Sequence, residues 1–273
     1  MKSKSHLEDI VTAIRKQTAV EPKTAVILGS GLGHFTKQVT NSVVIPYADI
    51  PHYPHPTVEG HSGQFVIGTI GQEPVILASG RFHYYEGYDI ETITLPQRLF
   101  HKLGIKNLII TNAAGSVRKD FQPGDLMAIK GHLDFTFRES SNLPAVVKGE
   151  PFHSEQLLKL ARTAASRENI NLKVGIYTWT LGPAFETPAE IEMIRELGGD
   201  AVGMSTVPEI RTAGKLGINA LGISCLTNYA AGITTATLTH QEVMETASRV
   251  SETFSRLIRG IIITIGKGDH YDH

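Results

Sequence analysis

Residues 174–180, Val-Gly-Ile-Tyr-Thr-Trp-Thr, alternate and are rich in β-branched and aromatic types, the pattern of a strand. They run through Leu181-Gly182-Pro183-Ala184-Phe185-Glu186 directly into a segment that Pro188 opens as a helix, predicted to reach about Leu197. A strand passing to a helix across so short a turn is the repeating unit of an α/β sheet, and such sheets gather ligands at the carboxyl ends of their strands. Thr187 with Glu190 reads as a capping box. Capping leaves the Gly-Pro turn and Phe185-Glu186 unexplained. They are either one apolar wall and one charged acceptor of a pocket, or a solvent-facing approach to the helix.

Junctions of the same character recur along the chain. After an amphipathic helix at Ser5–Thr18, Thr24–Leu28 is a short apolar strand ending in Gly29-Ser30-Gly31-Leu32-Gly33. Backbone N–H groups there, with the Ser30 hydroxyl, can wrap an anion. The Gly-x-Gly-x-Gly spacing is not the dinucleotide fingerprint and no P-loop lysine follows, so phosphate or sulfate is favoured; a tight turn alone would leave Ser30 idle. Gln64–Thr69 and Val75–Ser79 form a hairpin about Gly71-Gln72, and the second strand exits into Gly80-Arg81-Phe82-His83-Tyr84-Tyr85-Glu86-Gly87. In an extended segment Arg81, His83 and Tyr85 share one face, and an arginine fork beside a histidine suits phosphate oxygens. Glu91–Leu103 reads as a helix kinked at Pro96.

Asn107–Thr111 is a strand ending in Asn112-Ala113-Ala114-Gly115, whose small side chains admit a ligand close to the backbone. Asp125–Lys130 resumes sheet, and from Gly131 to Phe152 periodicity disappears, as in a lid, a subunit contact or a partly disordered segment. Ser154–Glu168 is a helix. Asp200–Val202 ends at Gly203-Met204-Ser205-Thr206 before a helix opened by Pro208; Ser205 is an N-cap, a ligand donor or both, and Met204 is core filler or a face for a flat ligand. Ile218–Leu226 ends in Thr227-Asn228, an amide that either forms a turn or reads a heterocycle edge. His240 begins the last long helix, where the dipole favours its neutral form. The alternation, without repeats or linkers, predicts residues 1–273 as a single three-layer α/β domain with a central mixed β-sheet flanked by helices.

A formal net charge of −1 argues against a nucleic-acid partner, which needs a concentrated basic surface. No apolar run reaches the length of a membrane span and none has the form of a signal peptide, so the expected compartment is the cytoplasm, with no membrane partner. The lone cysteine, Cys225, lies in an apolar run and reads as a small buried hydrophobe. His52 and His55 have no third ligand arranged around them, so no metal is expected.

Two groups of residues emerge. Ser30, Arg81, His83, the backbone at Ala113 and Ser205 supply donors for a small tetrahedral anion, while Phe185, Glu186, Met204 and Asn228 supply a face and an edge for something flat and polar. A nucleoside together with phosphate fits this division. The order of the five motifs, Gly29–Gly33, Arg81–Gly87, Asn112–Gly115, Gly182–Glu190 and Gly203–Glu209, resembles that of the trimeric, low-molecular-mass purine nucleoside phosphorylases over the whole chain.

That resemblance implies a nucleoside phosphorylase-like fold and reversible phosphorolysis of purine ribo- and 2′-deoxyribonucleosides, with 6-oxopurines such as inosine and guanosine preferred. Phosphate is a co-substrate and no cofactor is implied. By the same resemblance Ser30, Arg81, His83, Ala113 and Ser205 hold phosphate with His61 close by, Tyr85 and Met204 contact ribose, and His240 stands near the 5′-hydroxyl. Phe185, Glu186 and Asn228 address the purine, with His83, Glu186 and Asn228 in catalytic roles, and the assembly is a homotrimer. Between Gly131 and Glu155 the chain is shorter than the family pattern. Phe152 stands nearest the phenylalanine that relatives lend to a neighbouring site, and Phe135 and Phe137 are alternatives. The competing readings are a methylthioadenosine phosphorylase-like enzyme, which Glu186 with Asn228 opposes, and a non-catalytic purine or phosphate binding protein.

Overall fold

Alternation of side chains along the two central strands sorts the core into layers. Val26, Leu28 and Ile109 face one cluster, with Leu157 and Ala161 from one helix and Phe254, Leu257, Ile258 and Ile261 from another. Their neighbours Ala25, Ile27, Leu108 and Ile110 face the opposite cluster, with Ile10, Ile14, Leu99, Phe100, Leu103, Ile210 and Ala213. Strands buried on both faces need helices on both sides, which is why Thr24–Leu28 reads as a continuous apolar run. The result is a mixed sheet between two helical layers.

The computed structural model describes residues 2–57, 62–234 and 240–269, and the side chains of 6–57, 62–234 and 243–267. In chain order the elements are α1 (Lys2–Gln17), β1 (Thr24–Leu28), β2 (Thr40–Pro46), β3 (Gln64–Ile70), β4 (Glu73–Ser79), α2 (Ile90–Ile93), α3 (Leu95–Leu103) and β5 (Asn107–Ser116). They continue with β6 (Leu126–Asp134), β7 (Val147–Lys148), α4 (Glu155–Arg167), β8 (Lys173–Trp179), α5 (Pro188–Glu196), β9 (Ala201–Gly203), α6 (Val207–Lys215), β10 (Asn219–Tyr229), α7 (His240–Arg249) and α8 (Ser251–Asp269).

Part of the sheet closes on itself. β5 pairs with β10 in parallel, β10 with β6 antiparallel, β6 with β8 and β8 with β9 in parallel, and β9 returns to β5 antiparallel. From β5 the sheet continues outward through β1, β4, β3 and β2. β8 and β9 therefore run against β5, yet the pairing of Val202 with Gly115 brings the exit of β9 level with residues 112–115 of β5. Exits of strands running in both directions meet at one place.

Several elements differ from the sequence expectation. The helix expected over 91–103 is two, because Pro96 lacks the N–H that would continue the ladder; Thr94 separates α2 from α3, and Pro96 stands in the first turn of α3. The small residues Asn112–Gly115 do not end β5, and Thr227-Asn228 does not end β10, since the two strands supply each other's hydrogen bonds through a bulge there. Sheet persists through Gly131–Asp134, which pairs with β8 and, by β7, with the returning chain. Cys225 is fully buried, and burial pushes its thiol up to about 12. Among the described residues no helix is long and apolar enough to cross a membrane, and no group of metal-ligating side chains assembles.

Candidate active site

A cleft opens where the strand exits meet. Ser30, Arg81, His83, Tyr85, Ala113, Phe185, Glu186, Met204, Ser205 and Asn228 all line it, together with Asn112 and Thr227. His61 lies outside the described residues; His240 begins α7, and its side chain is likewise outside them.

At one end the donors are held by a network that reaches well beyond the local sequence. Arg81 is 2% exposed. Its Nη1 donates to the Thr111 carbonyl at 2.7 Å and to Ser205 Oγ at 3.2 Å, and its Nε donates to Glu209 Oε1 at 3.3 Å. Nη2 lies 3.2 Å from Glu209 Oε2, within ion-pair distance but in no aligned hydrogen bond. Gly29 reaches this end because it lacks a side chain: a Cβ would stand 2.7 Å from Asn112 Cα and 2.9 Å from the Thr111 carbonyl. The Gly29 N–H instead donates to Thr111 Oγ1.

His83 stacks on Tyr85, ring centroids 4.8 Å apart, and is fixed by Glu86. One carboxylate oxygen of Glu86 accepts from the His83 backbone N–H at 2.7 Å and lies 2.9 Å from its Nδ1, while the other accepts from the Thr57 N–H and hydroxyl. Burial works against that charge, but the hydrogen bonds from His83 and Thr57 outweigh it and hold Glu86 down to about 2.

Thr206, not Ser205, caps α6. Thr206 takes φ +76°, unusual for a β-branched residue, and three contacts impose it: its N–H donates to Glu209 Oε2, and its hydroxyl meets Asn112 Nδ2 at 2.9 Å and Ser205 Oγ at 3.1 Å. With capping assigned to Thr206, the Ser205 hydroxyl lines the cleft beside Arg81.

The acid and the amide line the same cleft. Thr180 donates to Glu186 Oε1 at 2.5 Å. Asn228 donates from Nδ2 to the Tyr229 carbonyl and accepts at Oδ1 from Thr227 Oγ1, which leaves one N–H and one lone pair unspent. Gly182, at φ +70°, brings the β8 exit close to Met204 and Tyr85; a Cβ there would stand 2.4 Å from Met204 Sδ and 2.9 Å from the Tyr85 ring. Phe185 is 45% exposed at the mouth. Of the three phenylalanines between β6 and α4, Phe135 is buried, Phe152 packs on the core beside α6, and Phe137 is 42% exposed.

Thr180 and Glu209 are not marked as site residues by the sequence. Glu86 carried a visible signal, three residues from His83 in a tight turn. Thr180 and Glu209 carried none beyond a strand end and a helix cap.

The chain matches the family described as the phosphorylase superfamily over residues 23–263. It is 41% identical to purine nucleoside phosphorylase 1 of Geobacillus stearothermophilus, across 97% of this chain and 99% of that one. It is 43% identical to purine nucleoside phosphorylase 1 of Bacillus subtilis, across 95% and 98%. Among solved structures, Schistosoma mansoni purine nucleoside phosphorylase in complex with inosine superposes with a TM-score of 0.84 at 32% identity, over 94% of this chain and 95% of that one.

Proposed function

Because the chain belongs to the low-molecular-mass purine nucleoside phosphorylases, we propose that its cleft carries out reversible phosphorolysis of 6-oxopurine ribo- and deoxyribonucleosides, yielding free base and pentose 1-phosphate. The observation that carries this reading is that one cleft gathers the anion donors Arg81, His83 and Ser205 together with the acid and amide of Glu186 and Asn228. The combination suits an anion, a sugar and a purine held in one cavity.

In this reading Ser30, Arg81, His83, the Ala113 backbone and Ser205 hold phosphate, with His61 beside them. Tyr85 and Met204 face the ribose, and His240 serves its 5′-hydroxyl. Phe185 covers the base, Glu186 accepts from N1–H and a 2-amino group, and Asn228 bonds N7 or O6. As the C1′–N9 bond lengthens, its electron pair moves to the purine and positive charge grows on the sugar. A phosphate oxygen on the opposite face bonds C1′ with inversion. Asn228 strengthens its hydrogen bond as the departing base becomes anionic, which stabilises the transition state more than the bound substrate.

Residues 1–273 act as one catalytic domain in purine salvage, with inorganic phosphate as co-substrate and no cofactor. We place the enzyme in the cytoplasm, where nucleosides and free phosphate meet. We also assign it to a homotrimer; exposed Phe137 and Leu143 give the segment after β6 an apolar surface for a second copy. Release of hypoxanthine from inosine, followed with and without phosphate, tests the activity. Phosphate-dependent release is the expected result; binding of both ligands with no release would leave a binding protein and end the proposal.

A further inference from the structure

Thr180 follows the last residue of β8 and does not line the cleft, yet its hydroxyl is the one group among the described residues that donates a hydrogen bond to the Glu186 carboxylate. We propose that Thr180 is a positioning residue that aims Glu186 and thereby sets selection for purines carrying a proton on N1. The inference rests on the reading of Glu186 as the base acceptor and names the group that makes that reading work.

Glu186 stands on the irregular stretch between β8 and α5, next to Phe185 at the exposed mouth, and its side chain has three rotatable bonds to order. Without an anchor the carboxylate would sweep the cleft entrance. Thr180 is fixed where Glu186 is not. Its N–H donates to the Gly203 carbonyl at 3.0 Å, which continues the β8–β9 pairing by one residue, and the neighbouring Trp179 carbonyl accepts from the Phe135 N–H. Thr180 is 7% exposed, and a β-branched side chain on such backbone has few rotamers.

The hydroxyl has one proton and two acceptors in reach, Glu186 Oε1 at 2.5 Å and the Gly203 carbonyl at 3.4 Å. The shorter, charge-assisted contact takes it. An ionised carboxylate presents only lone pairs, and the donor behind it fixes where they point. Such an acceptor welcomes N1–H of a 6-oxopurine and opposes the N1 lone pair of a 6-aminopurine. A hydroxyl one loop away, outside the cleft, thus determines what the cleft reads.

Replacement by valine keeps the shape and deletes the hydroxyl; replacement by serine keeps the hydroxyl. The full chain would be assayed as Thr180→Val, Thr180→Ser and Glu186→Gln, with inosine, guanosine and adenosine varied at saturating phosphate and phosphate varied at saturating inosine. We expect Thr180→Val to raise the inosine and guanosine KM roughly tenfold, with kcat and the phosphate KM within about twofold, the signature of lost ground-state positioning. The inosine-to-adenosine ratio of kcat/KM should fall in parallel, and Thr180→Ser should restore both. An unchanged nucleoside KM in Thr180→Val while Glu186→Gln is impaired would overturn the role of Thr180 alone. So would a rise in nucleoside and phosphate KM together that serine does not repair. A Glu186→Gln enzyme with unaltered nucleoside KM would remove the base-acceptor reading and this inference with it.

Discussion

Arg81 and Glu209 form an ion pair sealed from solvent, with Nε 3.3 Å from Oε1 and Nη2 3.2 Å from Oε2. The same carboxylate accepts the Thr206 N–H at the start of α6, so one acidic group ties the cation of the anion end to the helix behind it. Removing one partner of a buried pair leaves the other charge unpaired, at a cost of about 3–5 kcal/mol. Glu209→Gln should therefore lose stability on that order in denaturant unfolding. Because the freed guanidinium is no longer held toward Ser205, the phosphate KM should rise more than the inosine KM. An equal change in both would argue against Arg81 as the phosphate anchor.

Asn228 is held on both sides of its amide, by the Thr227 hydroxyl at 2.8 Å and the Tyr229 carbonyl at 2.9 Å. An oriented donor needs no reorganisation as charge develops on the base, and one such donor is worth about 3 kcal/mol in the transition state. Asn228→Ala should lower kcat on the order of a hundredfold with a smaller change in inosine KM. A loss confined to KM would make Asn228 a binding group only.

The contrast between Asn228 and Glu209 shows where the sequence is readable. Asn228, Arg81, His83 and Glu186 sit at or just past strand ends, and a strand exit is visible locally as an apolar run giving way to glycine or small polar residues. Glu209 meets Arg81 across 128 positions and doubles as a helix cap, so its local pattern is fully explained without the site. Thr180 reaches Glu186 only because Gly182 takes φ +70° and folds the intervening loop back, which residue spacing alone does not encode. Closure of the sheet was hidden for a related reason: β9 is three residues long and carries too little pattern to announce that it joins β8 to β5.

The arrangement around Glu186 bears on substrate choice. A carboxylate opposite the N1 lone pair of adenine sets lone pair against lone pair with no proton between them, and mismatches of that kind are worth several orders of magnitude in kcat/KM. Inosine should exceed adenosine by on the order of a thousandfold in kcat/KM. Glu186→Gln supplies an amide N–H to the adenine N1 and should narrow that ratio from both sides. Comparable rates on the two nucleosides in the unaltered enzyme would reject the assignment of Glu186.

Away from the cleft, His132 on β6 and His153 before α4 face each other with Nδ1 and Nε2 2.8 Å apart, both buried. A single proton fits between those nitrogens, so neither ring can take up a second without placing a bare charge in the core. Burial, with the nearby His153 and Arg211, brings His132 down to about 3; burial, partly offset by the Ile129 carbonyl, brings His153 down to about 4. The unfolded chain titrates near the ordinary value of 6.5. Between that value and the folded ones the unfolded state binds protons that the folded state refuses, so stability is fully present above pH 6.5 and falls on acidification toward pH 4. Each histidine should account for about 2 kcal/mol between pH 7 and pH 5. His132→Asn places an amide donor near the former Nδ1 and removes one titrating group. In urea unfolding across that interval its stability should therefore decline by about 2 kcal/mol less than that of the unaltered chain. Parallel declines in the two proteins would show that the pair does not set the acid limit of the fold.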